Sequence, residues 1–220
     1  MKLDTVIFDM DGLLVDSEPL WGVAANNIFE QYGFRISPEQ NVTTTGLRTR
    51  EFVHWWFQHF GINVNEEPVA ENKILNRMLE LIDADCTMMP GVEHVFNLFH
   101  SLRFKIGIAS SSPDALIQLV MEKSGIRQYV QGTASGQQLL HGKPHPQVYL
   151  NCAETLQSIP ANCLSFEDSF YGMIAAKAAR MQCVVVPDYH QYKQERWGAA
   201  DLKLSSLQNF SALHLQMLES

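Results

Sequence analysis

Two aspartates stand one residue apart at the end of an apolar stretch near the start of the chain. Residues 5–18 read TVIFDMDGLLVDSE, so the run VIF leads directly into Asp9, and Asp11 follows one residue later. Carboxylates at the end of a buried strand are costly unless something compensates their charge. Side chains two apart on an extended segment point the same way, so both carboxylates can flank one reacting centre. One can attack while the other handles the leaving-group proton, and Gly12 lets the chain turn beside them.

Polar side chains also follow other predicted strands at the points where those strands end. Ser110 follows the run KIGIA, and Glu167 and Asp168 follow CLSF. Lys143 lies in the loop HGKPHP, after the weaker strand YVQGTA. Taken singly, these features have ordinary explanations: a solvated turn, a helix cap or a surface lysine. Ligands of open parallel sheets bind beyond the carboxyl ends of the strands, so the four strand ends together predict a functional site.

Several carboxylates beside a lysine and a hydroxyl group predict phosphoryl transfer assisted by a divalent cation. Acidic side chains offer the oxygen ligands that a hard cation such as Mg²⁺ prefers, and the cation would neutralise both the carboxylates and an incoming phosphate. Lys143 adds a positive charge and Ser110 a hydroxyl donor. Backbone N–H groups near Met10, Asp11 and Ser111 could complete a phosphate cradle. The sequence has no GxxxxGK[ST] loop, so a nucleotide P-loop does not explain the pattern.

Strands alternate with helices after residue 90, and this order predicts a parallel sheet with helices on both faces. The predicted strands are 5–9, 105–110, 129–134, 163–168 and 183–187. One predicted helix runs to about Lys123, with Ser112 as its cap and Pro113 at its first helical position. The last predicted helix covers residues 207–218.

Residues 16–89 have a different hydrophobic pattern, with helical periodicity and no convincing strand. Aromatic residues fall at helical spacing in HWWFQHF, which favours packed helix core over a cofactor site. We therefore expect an inserted α-helical cap domain over 16–89. The fold class is then α/β, with a Rossmann-like parallel sheet core built from 1–15 and 90–220. Closure of a mobile cap needs hinges, which we expect near Leu14–Ser17 and Met88–Gly91.

Composition excludes several classes of protein. The 220 residues carry 24 acidic and 16 basic side chains, a formal charge of −8, which argues against nucleic-acid binding and against attachment to anionic membranes. The four cysteines are scattered without a CxxC pair, which predicts reduced, mostly buried thiols. No apolar stretch approaches the length of a membrane helix. We expect a cytoplasmic monomer whose partner is a small molecule.

The motifs DMDGLLVDSE, SSS, GKPHP and FEDS resemble, in order and spacing, those of the haloacid dehalogenase-like phosphohydrolases. The chain is most similar to the subgroup with a helical cap that contains β-phosphoglucomutase and small sugar phosphatases. The resemblance implies that Asp9 is the nucleophile, forming an aspartyl-phosphate, and that Asp11 is the general acid and base. It also implies that Ser110 binds phosphate and that Lys143 stabilises both phosphate and nucleophile.

The same resemblance implies a Mg²⁺ site, with Mn²⁺ or Co²⁺ as substitutes. Its ligands would be the side chains of Asp9 and Asp168 and the backbone carbonyl of Asp11, with Glu167 beside them, acting through a metal-bound water. The loop TTTGLRTR is the best candidate for substrate specificity, and we expect Thr45 and Arg48 to contact the substrate. Sugar or hexitol phosphates, such as 2-deoxyglucose 6-phosphate, are the implied substrates.

Two alternatives stay open at this point. The mutase has a histidine where this chain has Trp21, and a lysine and an arginine where it has Thr45 and Thr49. A mutase must hold and return a bisphosphate, so a weakened second phosphate clamp favours hydrolysis over the mutase reaction. A phosphoacceptor signalling domain is the more distant alternative, because receiver domains have no large helical insertion. Dehalogenation is improbable, because that branch of the family has no second aspartate in its first motif.

Overall fold

The core of the protein is a parallel sheet with the first strand at its centre. The computed structural model describes residues 2–220, so the first residue of the predicted core range 1–15 lies outside the described part. The six strands, all parallel, have the order β3-β2-β1-β4-β5-β6. They are β1 (Thr5–Phe8), β2 (Lys105–Ser110), β3 (Gly132–Ser135), β4 (Cys163–Glu167), β5 (Gln182–Val185) and β6 (Leu202–Lys203). The predicted α/β fold class is confirmed, and β6 is an edge strand that the sequence did not indicate.

Alternation along β1 assigns its side chains to two hydrophobic layers. Val6 and Phe8 belong to one buried cluster, and Ile7 belongs to the other. Successive side chains of a strand point to opposite faces, so both faces of the sheet must be covered. On the first face Phe8 stacks on Phe166 and Phe96, with ring centroids 5.0 and 4.8 Å away. Burial on both faces explains why the central strands read as continuous apolar runs.

Five α-helices lie after residue 90, where the sequence predicted alternating strands and helices, and they cover the sheet. They are α5 (Val92–Ser101), α6 (Asp114–Lys123), α7 (Gln147–Thr155), α8 (Phe170–Ala178) and α9 (Ala212–Glu219). Two predicted details were wrong. Pro113, not Ser112, is the N-cap residue of α6, and no side chain caps that helix. The last α-helix begins at Ala212, because the fully buried Phe210 has an extended backbone that ends a short 3-10 turn.

Residues 16–89, hereafter the helical segment, contain four α-helices. They are α1 (Glu18–Phe29), α2 (Pro38–Val42), α3 (Thr49–Phe60) and α4 (Glu67–Ala84). α4 packs against both α1 and α3. The aromatic side chains of HWWFQHF behave as predicted for Trp56 and Phe57, which are buried, whereas Trp55 is exposed.

The helical segment joins the rest of the chain through two connections that lie side by side. Val15 and Met88 form an isolated antiparallel bridge. The backbone N–H of Asp16 donates to the Thr87 carbonyl at 2.9 Å, and that of Met89 donates to the Leu14 carbonyl at 3.0 Å. The division into two domains with these boundaries, and the predicted hinges, stay predictions.

Across residues 2–220, no helix is both long and apolar enough to span a membrane.

Candidate active site

The carboxyl ends of three neighbouring strands bring the predicted polar residues together. β1 pairs in register with β2 on one side and β4 on the other, so Phe8 lies opposite Ile108 and Phe166. Asp9 and Asp11 follow the end of β1, while Ser110 ends β2 and Glu167 ends β4. The chain runs outward from β1 in both directions, and the edge above such a reversal is where open α/β sheets bind ligands.

Lys143 lies between two of the predicted carboxylates. Its side-chain nitrogen is 2.5 Å from Asp9 Oδ1 and 2.6 Å from Glu167 Oε1. The lysine is only 4% exposed, so its charge depends on these partners. Burial alone would lower the pKa of Lys143, but the charges of Asp9 and Glu167 raise it above its ordinary value. Lys143 is therefore a fixed cation at the floor of the site.

Glu167 is held from all sides by protein donors. Its Oε1 atom also accepts a hydrogen bond from the Tyr149 hydroxyl at 2.5 Å, and its Oε2 atom accepts from the Ser169 hydroxyl at 3.0 Å. Burial, and then the charge of Glu167, raise the pKa of Tyr149 well above its ordinary value, so the phenol stays a donor. With both oxygen atoms in use, Glu167 is better placed to position Lys143 than to ligate a metal directly.

Asp9, Glu167 and Asp168 form an acidic cluster that fits a cation. Each offers one carboxylate oxygen, and the three atoms lie within 4.8 Å of one another. Burial raises the pKa of Asp9 well above its ordinary value, although Lys143 lowers it in part. Burial likewise raises the pKa of Asp168, and the charges of Asp9 and Glu167 raise it further. A hard cation with oxygen ligands would relieve this repulsion, so the donor set suits Mg²⁺.

Gly12 allows Asp168 to approach the first motif closely. Its φ of +73° lies in the left-handed region, where glycine is favoured. A Cβ atom at this position would lie 2.3 Å from Asp168 Oδ2, closer than any side chain tolerates. The glycine after Asp11 therefore makes room for the carboxylate of the acidic cluster as well as for the turn.

Asp11 accepts hydrogen bonds from the helical segment and from the serines at the carboxyl end of β2. Its Oδ1 atom accepts from the hydroxyl of Ser17 at 2.8 Å and the indole N–H of Trp21 at 2.9 Å. Its Oδ2 atom accepts from the hydroxyls of Ser112 at 2.7 Å and Ser110 at 3.3 Å. Ser17 and Trp21 belong to the helical segment, whereas Ser110 ends β2 and Ser112 follows it. Trp21 stands where the mutase has a histidine, and nothing in the local sequence indicated the Ser112 contact.

A cavity of about 60 Å³ opens above these residues. Its lining includes the predicted site residues Asp9, Asp11, Thr45, Ser111, Lys143 and Asp168. A cleft of about 970 Å³ adjoins the cavity between α1, α2 and the loop after β5. Thr45, Glu18 and Asn41 line both spaces. A small reacting group can therefore occupy the inner cavity while the rest of a molecule extends into the cleft.

Glu18 is a carboxylate at this site that sequence reasoning missed. It lines the cavity and the cleft, and its Oε2 atom accepts a hydrogen bond from the Thr45 hydroxyl at 3.3 Å. Burial, followed by the charge of Asp11, raises the pKa of Glu18 from 4.5 to about 7. The available signal was its position in the quoted first motif, seven residues after Asp11.

Three other predicted site residues are largely buried. Ser110 is fully buried and faces Asp11, and the residues that border the cavity are Ser111 and Ser112. The Met10 side chain is also fully buried, which leaves only its backbone for a ligand. Arg48, which was predicted to contact substrate, is 3% exposed and donates to backbone carbonyls near residue 139. Its substrate contact stays a prediction.

Comparison with known proteins gives a consistent picture. Residues 6–186 match the family described as haloacid dehalogenase-like hydrolase. Hexitol phosphatase B of Escherichia coli (strain K12) is 38% identical over 210 residues, 95% of this chain and 95% of that protein. A phosphorylated carbohydrates phosphatase of Thermotoga maritima is 29% identical over 189 residues, 82% of this chain and 83% of that protein. A crystal structure of β-phosphoglucomutase from Clostridium difficile has a TM-score of 0.86 and 25% identity, with 98% of this chain and 96% of that chain covered.

Proposed function

Because the chain belongs to the haloacid dehalogenase-like hydrolase family, we propose that it is a phosphatase that acts on phosphate esters of small sugars and sugar alcohols. Hexitol phosphates and 2-deoxyglucose 6-phosphate are the substrates we expect first. The observation that carries the proposal is the ion pair of Lys143 with Asp9 at 2.5 Å, beside the acidic cluster and open to the cavity.

Asp9 is the nucleophile in this proposal. One of its carboxylate oxygens attacks the phosphorus atom of the ester while the bond from phosphorus to the sugar oxygen breaks. Asp11 gives its proton to the departing oxygen, and an acyl phosphate remains on Asp9. Water then attacks the phosphorus atom, Asp11 takes a proton from that water, and the bond between Asp9 and phosphorus breaks. Inorganic phosphate leaves, and both carboxyl groups return to their starting states.

The surroundings of the two aspartates support these roles. The ammonium of Lys143 orients Asp9, and it offsets the charge that the phosphate brings. Ser17, Trp21 and the serines after β2 hold the Asp11 carboxylate at the edge of the cavity. Ser111 and the backbone of Met10 and Asp11 would bind the phosphate oxygens.

Mg²⁺ fits the acidic cluster as the cofactor. The side chains of Asp9 and Asp168 and the backbone carbonyl of Asp11 would hold it, and Glu167 would act from behind through Lys143 or a water molecule. When bound, the cation supplies positive charge for the phosphoryl oxygens and lowers the repulsion among the carboxylates. Mn²⁺ and Co²⁺ are expected to substitute.

The leaving group is expected to occupy the space between the inner cavity and the cleft. Glu18, Asn41 and Thr45 line both, and carboxylate, amide and hydroxyl groups suit the hydroxyls of a polyol. A relative named hexitol phosphatase B with 38% identity supports sugar alcohols as the leaving group. The likeness to β-phosphoglucomutase keeps a phosphosugar mutase as the second candidate.

A metabolite panel with the Asp9→Asn variant tests the proposal. Purified protein is assayed with Mg²⁺, Mn²⁺ or Co²⁺ for release of inorganic phosphate from hexitol phosphates, hexose phosphates and a generic aryl phosphate. We expect D9N to lower kcat by at least about 10⁴-fold, because an amide is no nucleophile. The exposed Asp16 lies in the same motif and gives the matched control D16N, for which we expect nearly unchanged turnover.

Two results would count against the proposal. Absence of phosphate release from every ester with all three metals would overturn it, as would D9N retaining wild-type turnover. Conversion of a sugar 1-phosphate to its 6-phosphate without release of inorganic phosphate would favour the mutase. Mass spectrometry of acid-quenched enzyme should find the acyl phosphate on Asp9.

A further inference from the structure

Arg48 is a buried arginine that reaches from the helical segment to the loop that follows β3. It is the N-cap residue of α3 and is only 3% exposed. Its Nη1 atom donates to the carbonyl of Gly136 at 3.4 Å and also to that of Leu139. Both acceptors lie in the loop of residues 136–142, which leads from the end of β3 to Lys143. A buried guanidinium is stable only when paired, so this contact is specific rather than incidental.

Glu51 completes the connection from the same turn of α3. Its Oε1 atom pairs with Arg48 Nη2, and its Oε2 atom accepts from the Arg48 backbone N–H at 3.3 Å. Burial would raise the pKa of Glu51, but the hydrogen bond and charge of Arg48 lower it, and the backbone N–H of Gly142 lowers it further. Glu51 therefore remains charged, and its carboxylate lies close to Gly142, the last residue before Lys143.

Gly142 is the point at which the pair touches the loop most closely. A Cβ atom on Gly142 would lie 2.6 Å from Arg48 Nε and 2.6 Å from Glu51 Oε2. The absence of a side chain at Gly142 thus lets the ion pair pack directly against the backbone next to Lys143. The loop is open to solvent at Leu140, which is 83% exposed.

We propose that Arg48 and Glu51 form a latch between the helical segment and the loop 136–142, and that this latch positions Lys143. The inference rests on the proposed function only for the role of Lys143. Arg48 is then a positioning residue that acts through the loop and does not bind the substrate. Closing the helical segment makes the latch, fixes the loop and sets Lys143 against Asp9, so access to the site and its assembly are coupled.

One feature of Arg48 keeps the latch reversible. Its Nε atom is buried and has no hydrogen-bond partner within residues 2–220. A buried donor without a partner costs free energy that water would return if the segment opened. The latch therefore combines hydrogen bonds at Nη1 and Nη2 with the free-energy cost of an unpaired donor at Nε. This balance suits a contact that has to form and break repeatedly.

The variants Arg48→Met and Arg50→Met test the latch. Arg50 is exposed, lies two residues away and serves as the matched control for loss of one positive charge. With an aryl phosphate as substrate, we expect R48M to lower kcat by about 10- to 100-fold at similar KM, because misplacing a reacting group by an ångström costs that much. R50M should match the wild type. The conservative R48K should recover part of the loss.

Hydrogen exchange separates the latch from the proposed function. Amide exchange in residues 136–142 should quicken in R48M and stay unchanged in R50M, whether or not the protein turns over any ester. If R48M does not fold, Glu51→Gln tests the same latch from its other side with the same expected exchange. Unchanged exchange in both variants, or a raised KM with full kcat in R48M, would overturn the proposal, because the second result indicates direct substrate binding.

Discussion

Replacing Glu18 with glutamine should stabilise the metal-free protein at neutral and alkaline pH. The Glu18 carboxyl has a pKa of about 7 in the folded protein, against 4.5 for its ordinary value. The folded state therefore holds the proton more tightly than the unfolded chain. Stability from the protonated group is fully present below pH 4.5 and is lost as the pH rises through about 7. Glutamine keeps the shape of that neutral group and cannot ionise.

The pKa difference sets the size of the effect. A tenfold change in proton affinity corresponds to about 1.4 kcal/mol, so ionising Glu18 costs the folded protein up to about 3 kcal/mol. Glu18 borders the cleft, and solvent screening reduces that cost. We expect the free energy of unfolding of E18Q, relative to wild type, to grow by about 1 to 2.5 kcal/mol between about pH 5 and about pH 8.

Urea denaturation at several pH values, in the presence of a chelator, measures this difference. The chelator is needed because a cation at the acidic cluster would favour the charged form of Glu18. Asp9 and Asp168 titrate in both proteins, so their contributions largely cancel. The exposed Glu30 offers the control E30Q, which removes one carboxylate at a distance from the cavity. A difference for E18Q that stays constant from about pH 5 to about pH 8 would refute the reasoning.

Two further predictions concern the acidic cluster. In Gly172→Ala, the new Cβ would lie within 2.2 Å of all three carboxylate atoms of Glu167. The variant should displace that buried group from Lys143, lower stability by about 2 to 4 kcal/mol and reduce kcat. Thermal unfolding measures the stability and a turnover assay measures kcat, and unchanged values for both quantities would contradict the prediction. Asp168→Asn removes a carboxylate whose pKa is raised by burial and by Asp9, so it should stabilise the metal-free protein near neutral pH. Saturating Mg²⁺, which adds about 2.7 kcal/mol at 100 times Kd, should stabilise wild type far more than D168N, and an equal shift in Tm would contradict this.

The sheet and the edge that carries the site could be predicted from the sequence, for a physical reason. Buried parallel strands read as short apolar runs, and the polar residue that ends such a run has to lie at the carboxyl edge. This logic located Asp9, Lys143 and Asp168 in one cavity. The two-residue strand β6 gave no such signal, because it is short and only half-buried.

The sequence could not predict which individual side chains pair outside the shared edge of the strands. Ser112 is a residue type that commonly caps helices, but its hydroxyl donates to Asp11, 101 residues away in sequence. Arg48 was predicted to contact substrate, and nothing in the local sequence indicated the carbonyl 91 residues away to which it donates. Local pattern gives the residue type that each role needs, and it cannot decide between two partners when one of them comes from another part of the fold. The start of α9 was missed similarly, because Phe210 is drawn into the core against Phe99.

The bridge between Val15 and Met88 has a consequence for how such proteins diversify. The chain leaves and re-enters the sheet at adjacent points, with 72 positions between the bridged residues. Because closure entropy grows only slowly with length, this long loop imposes little entropic strain on the strands. The helical segment, which lines one side of the cavity, can then accumulate substitutions or change in length with little disturbance to the strand ends that line the other side. Selectivity for the alcohol half of an ester can thus drift while the chemistry at phosphorus is conserved.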